Sequence, residues 1–555
     1  MAFTEVGRTP QVALSPRDWN SLTPKLQRDL ERTILPGYIR SMRWYRDKAR
    51  KIKGTVVTDA IPVSGAPDRI WIATISIQFN DDKSELYLLP MAIARGEYAE
   101  HLAEELPQAV ITRAELDGDP AVLYDAVYSE ELRDTMLSMI LRRRKLKGKT
   151  GELVGSAGRG ARPLTPLLLE NPSSRVLKAE QTNTSVLYRE VGFLKLYRKL
   201  DNGVNPELEV LQYLTERRKF AHVPRYIGTL EYAFGNKTRC SLGVLVEFVR
   251  NEGDAYSFAK DTVDRYFENV LASQKNGLEP PRLTDSIFEI DLSSLPDALL
   301  QNTDRFFLEM MSLLGRRIGE LHLALGAEPT LQDFKPEPFS LLYQRSVYQS
   351  MRSLVRRVMG HTKRAVKKEE APAKLHAVSE READLLKQLA RVRERKFGAQ
   401  KIRIHGDLHL GQVLFSGRDF TIIDFEGEPA RTMSERRLKY CPLRDVAGML
   451  RSFHYAVYST FLEYSQTRAT DAVLLEPWVS LWYAVVAGIF LRSYLDTVAD
   501  SPLLPRSEDD VTVLLHVFLL EKAVYELGYE LNNRPDWVSI PCEGILQILD
   551  EGEDE

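Results

Sequence analysis

The spacing of apolar positions changes along the chain, and each change predicts a different kind of element. Residues 15–52, "SPRDWNSLTPKLQRDLERTILPGYIRSMRWYRDKARKI", carry a helical period, with Ser15 as N-cap before Pro16 and a Trp44-Tyr45 pair expected to dock. Residues 55–100 turn to strands. In "IWIATISIQF" (70–79) strict alternation predicts a half-buried antiparallel strand. Residues 118–145 read as strand then helix, and 174–249 as strands around one helix, "NPELEVLQYLTERRK", with Leu208, Leu211 and Leu214 on one face and Pro206 in its first turn. After 250 the pattern is mostly helical: "TDRFFLEMMSLLGRRIGELHLALG" (303–326), two long polar-faced helices over 340–400 around Glu369-Glu370-Ala371-Pro372, and helices again over 437–533. A short hairpin, "VLFSGRDFTII" (413–423), interrupts the helical half. The fold class that follows is α+β.

Composition narrows the function. Over 555 residues, 44% hydrophobic and 28% charged side chains describe a globular chain long enough for two or three domains. A net charge of -3 without a basic face argues against nucleic acid as partner. The basic run Arg142-Arg143-Arg144-Lys145 reads as a solvated face. Three scattered cysteines suit a reducing compartment and offer neither a disulfide framework nor a zinc site. The start shows no signal-peptide pattern, and the most apolar run, Trp478–Leu491, is too short to span a bilayer. A cytoplasmic protein without membrane contact is expected. "GKT" at 148–150 invites a phosphate-loop reading, but the glycine required five residues earlier is Arg143; a linker or hairpin turn is expected.

The chemistry gathers at "HGDLHLGQVLFSGRDFTIIDFEGEP" (405–429). Asp407 is followed five residues later by Gln412 and, after the hairpin, by Asp424-Phe425. Kinases use this spacing: a loop Asp orients the attacking hydroxyl, while an amide and a second Asp hold magnesium against the phosphates. Magnesium takes oxygen ligands in octahedral geometry, and a short hairpin fixes two of them at one separation. The bland alternatives are a turn residue for Asp407 and, for His405 and His409 four apart, a zinc pair, which Gly406 disfavours. Order along the chain decides between them. Lys195 sits mid-strand to anchor phosphates, and Glu209 (with Glu207 as the alternative) follows on a helix to support it. The polar "TNTS", with Thr184 and Ser185, precedes the lysine as a phosphate-covering turn. "GVLVEFV" (243–249), with Glu247 and Val249, offers backbone groups to an adenine. The conjunction predicts a phosphotransferase using ATP and Mg2+.

The loop "HGDLHLGQ" with "IDFEGEP" resembles the aminoglycoside-phosphotransferase-like kinases, and specifically the bacterial maltokinases. "FKPEPFSLLYQRSVYQSMR", "RRIGELHLALG", "SERRLKYCPLRDVAGMLRSFHYA" and "EKAVYELGYELNNRPDWVSIPCEGI" extend the resemblance over roughly residues 35–545. It implies a bilobal protein-kinase-like fold with a cystatin-like cap (1–110), an intermediate β-subdomain (111–180), a kinase N-lobe core and hinge (181–249) and a helical C-lobe (250–555). The sequence departs at Arg43-Trp44-Tyr45-Arg46-Asp47-Lys48, and residues 1–34 stay unassigned. The resemblance implies transfer of the ATP γ-phosphate to the anomeric hydroxyl of maltose, with the product feeding α-glucan synthesis from trehalose, and a trehalose synthase as a possible partner in trans to a monomer or homodimer. It makes "EKAVYELGYE" a sugar wall, with Lys522, Tyr525, Glu526 and Tyr529 on one helical face; His405 in the loop and Glu426, Glu428 and Arg431 just past the metal Asp are further substrate candidates. A kinase of another sugar or amino sugar such as glucosamine, and an inactive scaffold subunit, stay open.

Overall fold

Alternating apolar residues build two seven-stranded sheets before Val249, and helical periods build the rest. The computed structural model describes residues 12–14, 22–63, 69–170, 172–177, 182–235, 238–274, 279–281, 286–367 and 371–551. Ser15 with Pro16 and Glu369-Glu370 lie outside the described residues. The chain divides into two units, Met1–Val249 and Arg250–Glu555.

In the first unit, strands β1 (Val12–Leu14), β2 (Ile52–Pro62), β3 (Ile70–Phe79), β4 (Ser84–Arg95), β5 (Val110–Leu116) and β6 (Asp119–Asp125) form a sheet in the order β1-β5-β6-β4-β3-β2. Helix α1 (Glu130–Leu141) leads to the second sheet. Its strands are β7 (Lys145–Lys147), β8 (Gly151–Ala157), β9 (Ser174–Val176), β10 (Asn183–Tyr188) and β11 (Gly192–Tyr197). The short β12 (Lys199–Leu200) returns to pair with β4 of the first sheet, and after helix α2 (Pro206–Gln212) come β13 (Tyr226–Phe234) and β14 (Thr238–Glu247). The second sheet runs β7-β8-β13-β14-β11-β10-β9.

Two findings differ from the pattern read along the chain. β3 is buried on both faces over its first half, not one. Trp71, Ala73 and Ile75 enter a core with Leu26, Leu30 and Ile39 of the preceding helical segment, whereas Ile70 and Ile72 enter a second core with Leu137 and Ile140 of α1 and Leu194 of the second sheet. A second layer covers the side that alternation assigned to solvent. The boundary expected at residue 110 also falls inside a sheet: β6 pairs with β4, so the first sheet runs on to Asp125.

Buried charges hold the unit together. Arg198 meets Asp125 at 2.7 Å with both side chains 2% exposed, and its Nε donates to Thr184 Oγ1 at 2.8 Å. The "GKT" stretch is the turn of the β7–β8 hairpin, and it wraps a carboxylate of its own chain. Asp59 on β2 accepts from the backbone N–H of Lys149 (3.0 Å), Thr150 (3.2 Å) and Gly151 (3.0 Å) and from the Tyr232 hydroxyl (2.9 Å). At Gly148 a Cβ would collide with the Asp59 carboxylate.

In the second unit, helix α3 (Arg305–Gly326) packs on α5 (Ala469–Val498), with α4 (Leu443–Thr467) between them in sequence and α6 (Glu508–Asn533) following. Gly315 lets the α3 backbone approach the Phe490 carbonyl of α5, and Gly319 the Thr497 side chain of α5, too closely for a Cβ. At 30 residues, with mean hydropathy 1.6 over its most apolar 18-residue window, α5 has the length and composition to cross a membrane, longer than the apolar run suggested, and 61% of that window is buried in this unit. The two long helices expected over 340–400 are one, Leu341–Ala365, then two short ones, Ala373–Glu380 and Glu382–Ala390, parted at Arg381, which turns to pair with Asp384. Strands β15 (Gly253–Asp254), β18 (Val413–Phe415) and β19 (Phe420–Ile422) form a small sheet, and β16 (Glu337–Pro338) pairs with β17 (Gln400–Lys401).

Burial alone would raise the Asp59 carboxyl; the Lys149 N–H, the Tyr232 hydroxyl and Thr150 hold it below the usual carboxylate range. Its stabilisation is therefore complete above the unfolded value near about 3.9 and fades as the pH falls through the lower folded value. Asp59→Ala should cost about 2–3 kcal/mol in urea unfolding at pH 7 and lose most of that penalty in acid.

Candidate active site

In the second unit the catalytic-type loop is built on a buried carboxylate. Asp445, in the first turn of α4, accepts from the backbone N–H of His405 (2.8 Å) and Gly406 (2.9 Å). His322 of α3 meets the same carboxylate at 3.2 Å, and the Tyr494 hydroxyl meets the other ring nitrogen of His322 at 3.0 Å. Burial pushes the Asp445 carboxyl up, but His322 and the loop N–H groups outweigh it and keep the group ionised. One face of α4 further down, Ser452 Oγ accepts from Leu410 N–H at 3.1 Å. Gly406 has φ +83, so the turn that presents Asp407 suits glycine alone.

The hairpin then sets the separation of Gln412 and Asp424. Val413 pairs with Ile422, the N–H of Ile423 donates to the carbonyl of Gln412 at 2.9 Å, and Gln412 Nε2 stands 3.0 Å from Asp424 Oδ2. Arg317 of α3 grips the hairpin turn through Asp419, Nε to Oδ1 at 2.9 Å and Nη2 to Oδ2 at 2.8 Å. Asp424 has φ +64, a strained conformation for a residue with a side chain, of the kind found where geometry serves function. Here the Gln412 amide donates its N–H to the Asp424 carboxylate; the amide's other atom is an oxygen, so amide and carboxylate together offer the hard oxygen donors that magnesium takes.

The wall beside Asp407 is α6. Three of its carboxyl groups face α4 and are tied down there: Glu521 to Arg444 at 2.6 Å, Glu526 to Arg451 at 2.9 Å and Glu530 to the Tyr455 hydroxyl at 3.2 Å. Lys522 projects its ammonium to 3.6 Å from Asp407 Oδ1. Tyr525 bonds to Glu428, and burial with that carboxylate raises its hydroxyl's pKa. Glu428 also takes Arg431 at 2.8 Å, and Arg431 lies over the Tyr440 ring at 5.0 Å. Two residues expected to touch substrate are engaged elsewhere. His405 Nε2 donates to the Ile423 carbonyl at 2.8 Å and its Nδ1 accepts from Asp407 N–H at 3.4 Å, so both ring nitrogens are spent as a spacer between loop and hairpin. Glu526 turns to the buried Arg451. Glu426 is half-buried just after Asp424, and Tyr529 is exposed.

In the first unit Lys195 lies mid-strand on β11, buried, with Glu207 Oε2 3.1 Å from its Nζ. The Tyr197 hydroxyl donates to the same oxygen at 2.9 Å. Glu207 thus fills the place that the sequence assigned first to Glu209. Asn205 caps α2 by accepting from Glu207 N–H at 2.9 Å, which fixes the helix phase, and residues two apart face different ways. Thr184 and Ser185 are in β10, not in a turn. Thr184 serves Arg198, and Ser185 pairs across the ladder with Lys195, so those two side chains share a face. The segment between β9 and β10 that would cover phosphates includes 178–181, outside the described residues. Glu247 ends β14 with its side chain 3.3 Å from Arg225, and Val249 closes the unit.

Asp445 and His322 were not legible as functional groups; the only signal is an acid and a histidine within apolar helical runs. Asp445→Ala should leave two loop N–H groups without their acceptor. We expect a loss of about 3 kcal/mol or more in stability and faster amide hydrogen exchange at His405 and Gly406, read by mass spectrometry.

Comparison with known proteins finds two family matches. Residues 38–128 match the maltokinase N-terminal cap domain, and residues 308–427 match the phosphotransferase enzyme family. A glucosamine kinase of Mycolicibacterium smegmatis is 31% identical over 151 residues, 27% of this chain and 34% of that one. One of Streptacidiphilus jiangxiensis is 27% identical over 155 residues, 28% of this chain and 33% of the other. The match thus spans about a third of the length of these curated relatives. Among solved structures, a glucosamine kinase in complex with glucosamine, ADP and inorganic phosphate has the same fold, with TM-score 0.59 and 18% identity over 90% of this chain and 95% of that one. The chain therefore carries a maltokinase-type N-terminal cap domain and a phosphotransferase-family domain, on a fold shared with a sugar kinase.

Proposed function

We propose that the protein is an ATP- and magnesium-dependent kinase that phosphorylates the anomeric hydroxyl of maltose, yielding maltose 1-phosphate for α-glucan synthesis. The observation that carries the reading is the pairing of Lys522 with Asp407 beside the Gln412–Asp424 pair: an acceptor wall abuts the loop carboxylate. Asp407 accepts the hydrogen bond of the attacking hydroxyl and aims its oxygen at the γ-phosphate. Gln412 and Asp424 would hold magnesium, which when bound offsets charge on the phosphate oxygens. Lys195, steadied by Glu207 and Tyr197, supplies fixed positive charge to the nucleotide phosphates. Positioning and charge compensation supply most of the rate, as no covalent enzyme intermediate is needed.

The names of the relatives favour a second reading, glucosamine as acceptor. The 2-amino group of glucosamine is vicinal to C1. With the C1 hydroxyl on Asp407, that ammonium would meet the Lys522 ammonium as well as the Asp407 carboxylate paired with it, so the like-charge repulsion is only partly offset. A neutral sugar escapes this cost, which favours maltose. Phosphorus NMR of the product from ATP, magnesium and either sugar decides: a phosphate coupled to the anomeric proton of maltose supports the proposal, and product from glucosamine alone overturns it. Asp407→Asn should lower turnover about 10²–10⁴-fold with nucleotide affinity unchanged; wild-type turnover would remove Asp407 from the mechanism.

A further inference from the structure

The face of α6 that meets the catalytic loop does not end there. Lys522, Tyr525 and Tyr529 follow at i, i+3 and i+7 on one side of the helix, and Tyr529 is 48% exposed. At 1.5 Å per residue Tyr529 lies roughly 10 Å along the axis from Lys522, further than one pyranose ring spans. Just past the helix, a short turn at Pro535–Trp537 folds a second aromatic toward it. The Arg534 guanidinium lies 4.4 Å over the Trp537 ring and 5.7 Å from the Tyr529 ring centre. Glu530, itself 1% exposed, holds one edge of that guanidinium, accepting from Nε on Oε2 at 2.8 Å and from Nη2 on Oε1 at 2.6 Å, and the Tyr455 hydroxyl steadies Glu530. Tyr529, Arg534 and half-buried Trp537 form a fixed shelf that reaches solvent.

We infer that this shelf is a further acceptor subsite, which holds the hexose units of an α-1,4-linked glucose oligomer beyond the disaccharide. The inference rests on the sugar reading above and extends it to acceptor length. An uncharged polyol presents apolar C–H faces and rows of hydroxyls; the shelf offers aromatic surface and a planar guanidinium whose outward edge can donate to two oxygens. Its occupant is set by continuity: the same helical face begins at Lys522, beside Asp407, so a chain held there by its reducing end runs along Tyr525 toward Tyr529 and Trp537. The clamp on Arg534 removes the rotamer entropy that a free arginine would lose on binding.

The test is calorimetric titration of the full chain, with ADP and magnesium present, by glucose, maltose and maltotriose, together with turnover of each. Wild-type protein should bind maltotriose about three- to tenfold more tightly than maltose. Trp537→Ala should abolish that ratio, and Arg534→Met, which keeps apolar cover over Trp537, should reduce it. Equal affinity for the two oligomers in the wild type, or a ratio unmoved by both variants, overturns the subsite. If maltose is phosphorylated but the ratio is one, the subsite alone fails. If no sugar is phosphorylated, the kinase reading fails, and a Trp537-dependent preference for maltotriose still upholds the shelf.

Discussion

A single buried carboxylate sets the geometry of the catalytic-type loop. Asp445 is fully enclosed, yet the groups around it keep it charged: two loop N–H donors and His322, which Tyr494 in turn orients. A charge in such surroundings is tolerable only while each of its hydrogen bonds is made. The loop therefore has one conformation in which Asp445 is satisfied, and that conformation presents Asp407. The hairpin follows from it, since His405 bridges from the loop to the Ile423 carbonyl and so positions Asp424.

The first unit uses the same device at its seams. Asp125 with Arg198, and Asp59 with the turn at 149–151, join strands of one sheet to strands of the other, where apolar packing alone would tolerate sliding. Lys195 with Glu207 is a further buried pair, at the junction of β11 and α2, with Tyr197 holding the acid. Polar groups buried at joints cost desolvation energy and return a unique arrangement.

What could be read along the chain was what depends on near neighbours. The hairpin, the spacing of Gln412 and Asp424 and the face formed by Lys522 and Tyr525 follow from turn chemistry and helical period, which a few residues determine. What could not be read depends on partners distant in sequence. Asp445 and His322 are 123 residues apart, and neither differs from a surface residue until the fold brings them together. The choice of Glu207 over Glu209 turned on helix phase, set by the Asn205 cap. The double burial of β3 turned on a second sheet that alternation cannot announce. Thr184 and Ser185 look like turn formers, but tertiary pairing with Leu196 and Lys195 makes them strand.

The three ties from α6 to α4, at Glu521, Glu526 and Glu530, rise in step with Arg444, Arg451 and Tyr455. They act as the teeth of a rack. A slip of one helical turn would move every group on the opposite side by about 5.4 Å and break all three ties together, so the register of α6 against α4 cannot drift by small amounts. Side chains along the opposite edge of α6 can then be exchanged without disturbing the three ties, while the loop at 405–412 keeps the conformation that Asp445 fixes.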